Sequence, residues 1–110
     1  MNYSSRLPKQ GNGIILITKE NSMAIAKHII FSGYVQGVGF RFTANSIARR
    51  YELTGFVRNT VDDKVELLLQ GEPEDIDGCI EDLQETFTIR DTQIKSVTFD
   101  PSYQDFKITF

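Results

Sequence analysis

The sequence predicts an α+β sandwich: two helices on one face of a mixed, mainly antiparallel sheet. Three observations carry that expectation. Segments of β-branched and aromatic residues recur along the chain. Two stretches between them carry apolar residues at helical spacing. The order of the two kinds is βαββαβ with one further strand at the end.

The chain divides near residue 23. Residues 1–22, MNYSSRLPKQGNGIILITKENS, are polar apart from the IILIT patch and are read as an N-terminal extension outside the chemistry. Met23 is a candidate alternative start, and residues 23–110 are read as the domain. There, KHIIFSGYV is β-branched, aromatic and uncharged after Lys27, the pattern of a central strand buried on both faces. Ala44, Ile47, Ala48 and Tyr51 then fall at helical spacing, with Arg49 and Arg50 in the last turn, where cations suit the helix dipole. LTGFVRNT reads as a strand, VDDK as a tight turn, and KVELLLQG as the returning strand with Val65, Leu67 and Leu69 on one face. Pro73 opens a second helix, where its missing N–H would be unpaired anyway, and Ile76, Ile80, Leu83 and Phe87 form that helix's apolar stripe. TQIKSVTFD and DFKITF close the chain as strands, the last alternating Phe106, Ile108 and Phe110. This is the order of the ferredoxin-like split-βαβ sandwich with an extra C-terminal strand.

Composition excludes several classes of function. A chain of 110 residues with a quarter of them charged is sized for one domain and one core. Its net charge of −3 and pI near 5.1 argue against a basic surface that coats nucleic acid, so any anion site must be local. The single cysteine, Cys79, rules out an internal disulfide and a cysteine-based zinc cluster. No apolar stretch approaches the roughly 18 residues of a membrane helix. Residues 13–18 are too brief for a secretory signal, and no A-x-A-like site follows, which leaves the cytoplasm as the expected location.

The two helix starts differ in charge. The second begins among Glu72, Glu74, Asp75 and Asp77, which satisfy its dipole. The first has no acidic residue between Phe31 and Arg50, and it adds Arg41 where a cation is repelled. Gly33, Gly37 and Gly39 allow successive backbone N–H groups to turn inward, making a concavity suited to a tetrahedral oxyanion. The plainer reading is a tight strand-to-helix turn with a solvated arginine. Nucleotide loops do not fit either way. A Walker loop needs Gly-Lys-Ser/Thr where Gly39 is followed by Phe40 and Arg41, and a dinucleotide loop needs a small residue where Phe42 stands.

SGYVQGVGFR together with GFVRNTVDDKVE resembles the acylphosphatase family. The family's Gly-x-Val-Gln-Gly-Val-x-Phe-Arg is matched from Gly33 to Arg41. Its Gly-Phe/Trp-Val-x-Asn-x-x-Asp-Gly-x-Val-Glu is matched from Gly55 to Glu66, with Asp63 in place of the turn glycine. Asp tolerates left-handed backbone better than most residues, so the hairpin is expected to survive with some strain. The resemblance covers about residues 25–110. It implies hydrolysis of acyl phosphates, small-molecule substrates, to carboxylate and inorganic phosphate, with no metal and no other cofactor. By position it makes Arg41 the phosphate-binding arginine and Asn59 the residue that orients water. Val35, Gln36, Gly37, Val38, Gly39 and Phe40 then form the loop whose amides surround the phosphate. A similar module occurs inside large hydrogenase-maturation carbamoyltransferases, for whose other domains 110 residues leave no room, and the expectation is a monomer.

Other residues support only bland readings. His28 lies in an apolar strand with no second histidine or cysteine nearby, and Cys79 sits beside a helix stripe as a small, partly buried filler. Asp62, Asp63 and the run from Glu72 to Asp77 lack calcium-loop spacing. Ser32 and Ser46 have no histidine at a spacing that would make a nucleophile. The same topology serves RNA-binding modules, but Glu52, Leu53, Thr54 and Asn59 stand where a basic residue, a glycine and stacking aromatics are required. A phosphate- or partner-binding relative without turnover is the remaining alternative, and retention of both Arg41 and Asn59 speaks against it.

Overall fold

A computed structural model describes residues 23–110; the extension, with its IILIT patch, lies outside the described residues. The chain runs β1 (Ile25–Tyr34), α1 (Phe40–Arg50), β2 (Thr54–Asn59), β3 (Val65–Gly71), α2 (Pro73–Thr86), β4 (Thr88–Val97) and β5 (Phe106–Ile108). The strands make one sheet in the order β4-β1-β3-β2-β5, antiparallel throughout except for the parallel pair β2 and β5. The fold is the α+β, ferredoxin-like sandwich that the element order predicts. No helix among the described residues is long and apolar enough to cross a membrane.

The core lies between the sheet and the two helices. Strand alternation sends Val65, Leu67 and Leu69 of β3 and Ile29 and Phe31 of β1 into it, all fully buried. α1 contributes Phe40, Ala44, Ile47 and Ala48, and α2 contributes Ile76, Cys79, Ile80 and Leu83. Cys79 is fully rather than partly buried, and burial, with the Asp82 carboxylate nearby, pushes its thiol up to about 12. It is an inert filler. Phe40 pins the start of α1 by packing edge-on against Phe31 at 5.6 Å and at a tilt against Phe87 at 4.6 Å. Each such ring pair contributes about 0.5–1.5 kcal/mol beyond burial.

One expectation about β1 is overturned. It is central, between β4 and β3, but it is not buried on both faces: His28 and Ile30 are only half-buried. Both helices cover the same face, so His28, Ile30 and Ser32 of β1 line a more open one, whereas Ala26 on that face is buried. The segment between β4 and β5 screens one end of that face. Buried Gln70 donates its amide to the Asp100 carbonyl at 3.0 Å and to Thr54 Oγ1 at 3.1 Å, and it accepts from the Asp100 N–H at 2.8 Å. A buried amide with its donors and acceptor satisfied ties that segment down.

β4 also begins earlier than the sequence suggests, at Thr88 rather than Thr92. Its first residues are mostly polar, but Ile89 and Thr88 pair with Gly33 and Tyr34 after a register shift at Ser32 and Gly33. Gly33 has φ 130°, and a Cβ there would lie 2.7 Å from the Arg90 nitrogen and the Thr88 oxygen, both backbone. Only glycine lets the two strands approach so closely while β1 bends toward α1. At the β2–β3 turn, Asp63 has φ 67°, the left-handed conformation that the usual glycine would adopt without strain.

On the open face, Glu66 accepts from Arg58 Nε at 2.6 Å and lies 2.7 Å from His28 Nε2. Burial raises the Glu66 carboxyl, but the hydrogen bonds and charges of His28 and Arg58 outweigh it and hold it below its ordinary range. A carboxylate depressed in the folded state stabilises the fold above its unfolded pKa and loses that contribution as pH falls through the folded value. Wild type should therefore exceed Glu66→Gln in stability at about pH 6, and the gap should close toward about pH 3 in urea unfolding followed by circular dichroism.

Candidate active site

The segment between β1 and α1 is anchored at both ends by apolar side chains. Val35 and Phe40 are buried in the core, while Gly37 and Gly39 are exposed and left-handed, with φ 75° and 80°. Gly39 is the N-cap of α1, and no side chain caps the helix. The first helical hydrogen bond runs from the Thr43 N–H to the Gly39 carbonyl at 3.1 Å. The amides of Phe40, Arg41 and Phe42 therefore precede the helical ladder, as in any first turn, and here no acidic residue accompanies them.

Arg41 stands in that first turn. Its Nη1 donates to the Thr109 carbonyl at 3.4 Å, and its guanidinium carbon lies 4.6 Å from the centre of the Phe110 ring. A carbonyl and a ring face orient the cation without neutralising it. Neighbouring arginines are placed otherwise. Arg58 is paired with Glu66, and Arg49 donates to Asn45 Oδ1 at 3.3 Å and to the Phe106 carbonyl at 3.0 Å. Among the described residues no carboxylate pairs with Arg41.

Asn59 is the last residue of β2 and is half-buried; its side chain makes no hydrogen bond among the described residues. No direct contact joins it to Arg41. Two bridges bring their segments to one end of the sheet instead. Gln36 Nε2 donates to the carbonyl of Thr60, next in chain to Asn59, at 2.9 Å, and to that of Lys64 at 2.7 Å. Thr109, whose carbonyl accepts from Arg41, donates its N–H to the Val57 carbonyl of β2 at 2.9 Å.

Four participants at this end were not singled out for the site from sequence: the Gln36 side chain, Thr60, Thr109 and Phe110. Gln36 entered only for its backbone amide, and Phe110 only as one face of a strand that in fact ends at Ile108. The hydrogen-bonded partners lie 24 to 68 residues away, Phe110 stands one residue farther still from Arg41, and no local pattern signals such contacts. His28 stands on the open face against Glu66, in keeping with a structural role.

An uncapped helix start, left-handed glycines and an oriented arginine are features that suit a small oxyanion. A family model for acylphosphatase matches residues 27–108, which include the whole of this end of the sheet up to Ile108. The chain belongs to the acylphosphatase family. An acylphosphatase from Alcanivorax borkumensis is 50% identical over 54 residues, 49% of this chain and 59% of that protein, less than two thirds of its length. One from Staphylococcus aureus is 36% identical over 84 residues, 73% of this chain and 93% of the other. The structure of an acylphosphatase from Coxiella burnetii has a TM-score of 0.74 with 32% identity, covering 86% of this chain and 100% of that one. Acylphosphatases hydrolyse acyl phosphates, and this chain is an enzyme of that class.

Within the acylphosphatase domain the Arg41 arrangement makes a specific demand. Arg41→Ala should weaken binding of inorganic phosphate by about tenfold or more, the worth of one charge-assisted hydrogen bond. The fold should be kept, and stability should be unchanged or higher by a few tenths of a kcal/mol, because a cation leaves the positive end of a dipole. Calorimetric titration and thermal unfolding of the same preparation check both halves.

Proposed function

We propose that the domain hydrolyses the carboxyl–phosphate bond with Arg41 and the amides of Val35 to Phe40 holding the phosphate and Asn59 orienting the water. The observation that carries this reading is the start of α1, with no side-chain cap and no acid, beside an arginine held by a ring rather than a carboxylate. Each of those features leaves positive potential unspent for a visiting phosphate.

The chemistry asks for little more. An acyl phosphate expels a carboxylate whose conjugate acid has a pKa of about 4 to 5, so its departure needs no general acid. In a loose phosphoryl-transfer transition state, charge spreads over the equatorial oxygens, and positioning with electrostatic stabilisation dominates. Arg41 can take two phosphate oxygens in its planar fork. The Asn59 carbonyl accepts a hydrogen bond from water, and its amide donates, without adding a charge that would repel the substrate. Hydrolysis on this reading is independent of metal, acts on a small diffusible acyl phosphate in the cytoplasm, and is performed by a monomer. Residues 1–22 stand outside it.

The test is phosphate release from acetyl phosphate in the presence of a chelator, with glycerol phosphate, an alkyl monoester, as control. Turnover of the first and not the second is expected, since this reading supplies no acid to protonate an alkoxide leaving group. Activity lost in chelator and restored by a divalent cation would sink the mechanism.

Asn59 separates rate from binding. Asn59→Ala should lower kcat by about 100-fold while phosphate inhibition changes little, because the interaction is realised mainly in the transition state. Asn59→Asp should be nearly inactive and bind phosphate more weakly, the binding defect easing as pH falls and the aspartate protonates. Steady-state kinetics with phosphate as inhibitor reads both.

A further inference from the structure

The sheet order poses a problem for the site. β1 leads into the phosphate loop and β2 ends at Asn59, but β3 lies between them. Sheet pairing therefore holds Asn59 opposite Val65 and does not itself fix it against the loop. One side chain spans the gap. Gln36 sends its two amide hydrogens to the carbonyls of Thr60 and Lys64, at 2.9 and 2.7 Å, the pair that flanks the β2–β3 turn.

That turn is rigid enough to be held. The Thr60 N–H donates to the Lys64 carbonyl at 2.9 Å, and Thr60 Oγ1 accepts from the Lys64 N–H at 3.0 Å. The Lys64 oxygen thus receives both Thr60 and Gln36 and is fully used. The clamp closes on the carbonyl of Thr60, the residue that follows Asn59, while the Gln36 backbone belongs to the loop and is flanked by Val35 and left-handed Gly37. A displacement on one side must be transmitted to the other.

We propose that Gln36 is a positioning residue: its side-chain amide sets the distance between the phosphate loop and Asn59. The proposal rests on the assignment of water to Asn59 and phosphate to the loop. Its consequence is a separation of roles. Loss of the clamp leaves the loop amides and Arg41 in place for ground-state binding, but it lets the water-bearing residue drift from the line of attack. Displacements of about 1 Å in a reacting geometry cost on the order of 100-fold in rate.

The experiment is a double-mutant cycle with Gln36→Met, which keeps length and bulk without donors, and Asn59→Ala, assayed with acetyl phosphate and inhibited by inorganic phosphate. Gln36→Met should lower kcat by about tenfold to 100-fold in wild type, change the phosphate inhibition constant by less than about threefold, and cost almost nothing further once Asn59 is alanine. Gln36→Glu should be worse at neutral pH, with a carboxylate facing two carbonyls, and should recover partly as acid restores one donor. In wild type, the Gln36 side-chain amide protons should be protected from solvent exchange with or without phosphate.

A Gln36→Met protein with wild-type kcat overturns the proposal, even if its thermal midpoint falls, since that would be a structural role alone. Equal losses in both backgrounds of the cycle overturn it by showing that Gln36 acts apart from Asn59. Phosphate inhibition weakened in step with kcat overturns it by making Gln36 a binding group. Should the variants fail to fold, rapid exchange of the Gln36 side-chain protons in wild type overturns it by the same measure. A wild type that does not turn over acetyl phosphate while those protons are protected fails the hydrolytic reading instead, so the two failures are distinguishable.

Discussion

An α-helix that starts without a counter-charge is the constraint on which this molecule turns. α1 and α2 both lack a side-chain cap, but α2 carries Glu74 and Asp75 in its first turn and α1 carries none. The unmet potential at α1 has a location because the surrounding residues give it one. Gly33 permits the bend of β1, Val35 and Phe40 bury the ends of the loop, and Gly39 turns the backbone left-handed at the cap. Apolar burial fixes the position of the loop, and Gly37 and Gly39 supply the left-handed conformations along its path.

The treatment of charge follows the same logic. The chain is net negative, yet two of its arginines are handled in opposite ways. Arg58 on the open face is paired with Glu66 at 2.6 Å, and its field is largely cancelled nearby. Arg41 is held against Phe110 and the Thr109 carbonyl, contacts that cost it freedom of rotation and leave its charge intact. Pre-orienting a long side chain lowers the entropy lost when an anion is bound. A carboxylate partner would give similar order, but an incoming phosphate would have to displace it.

Much of this was legible in the sequence, unevenly. β3 and α2 declared themselves by period, since Val65, Leu67 and Leu69 alternate into the core and the stripe from Ile76 to Leu83 faces it. β1 misled because Ile29, Ile30 and Phe31 are consecutive, and contiguous apolar residues in a strand imply two covered faces. Here the second face is open and Ile30 is merely half-buried. The polar start of β4 hid a strand whose ladder is supplied by β1, a tertiary effect that outweighs local preference. At the proposed site, charge and glycine spacing pointed to the loop and Arg41, whereas Asn59 entered only through the family resemblance. The Gln36 clamp and the ring beneath Arg41 were invisible, because contacts over such separations depend on sheet order rather than on neighbours in sequence.

The place of β1 in the sheet also bears on how the molecule is made. The earliest strand of the described chain is a central one, and its partners are residues 65–71 and 88–97. As the polypeptide emerges from the ribosome, a strand containing Ile25, Ile29, Ile30 and Phe31 has two unpaired edges and no sheet on which α1 can settle. Long-range pairing of this kind raises contact order and slows folding, and it exposes an adhesive segment meanwhile. Lys27, placed within the strand itself, is the sort of charge that discourages wrong edge-to-edge pairing during that interval. The proposed anion cradle would therefore be complete only after β3 and β4 have enclosed β1, late in the chain's synthesis although its loop is made early.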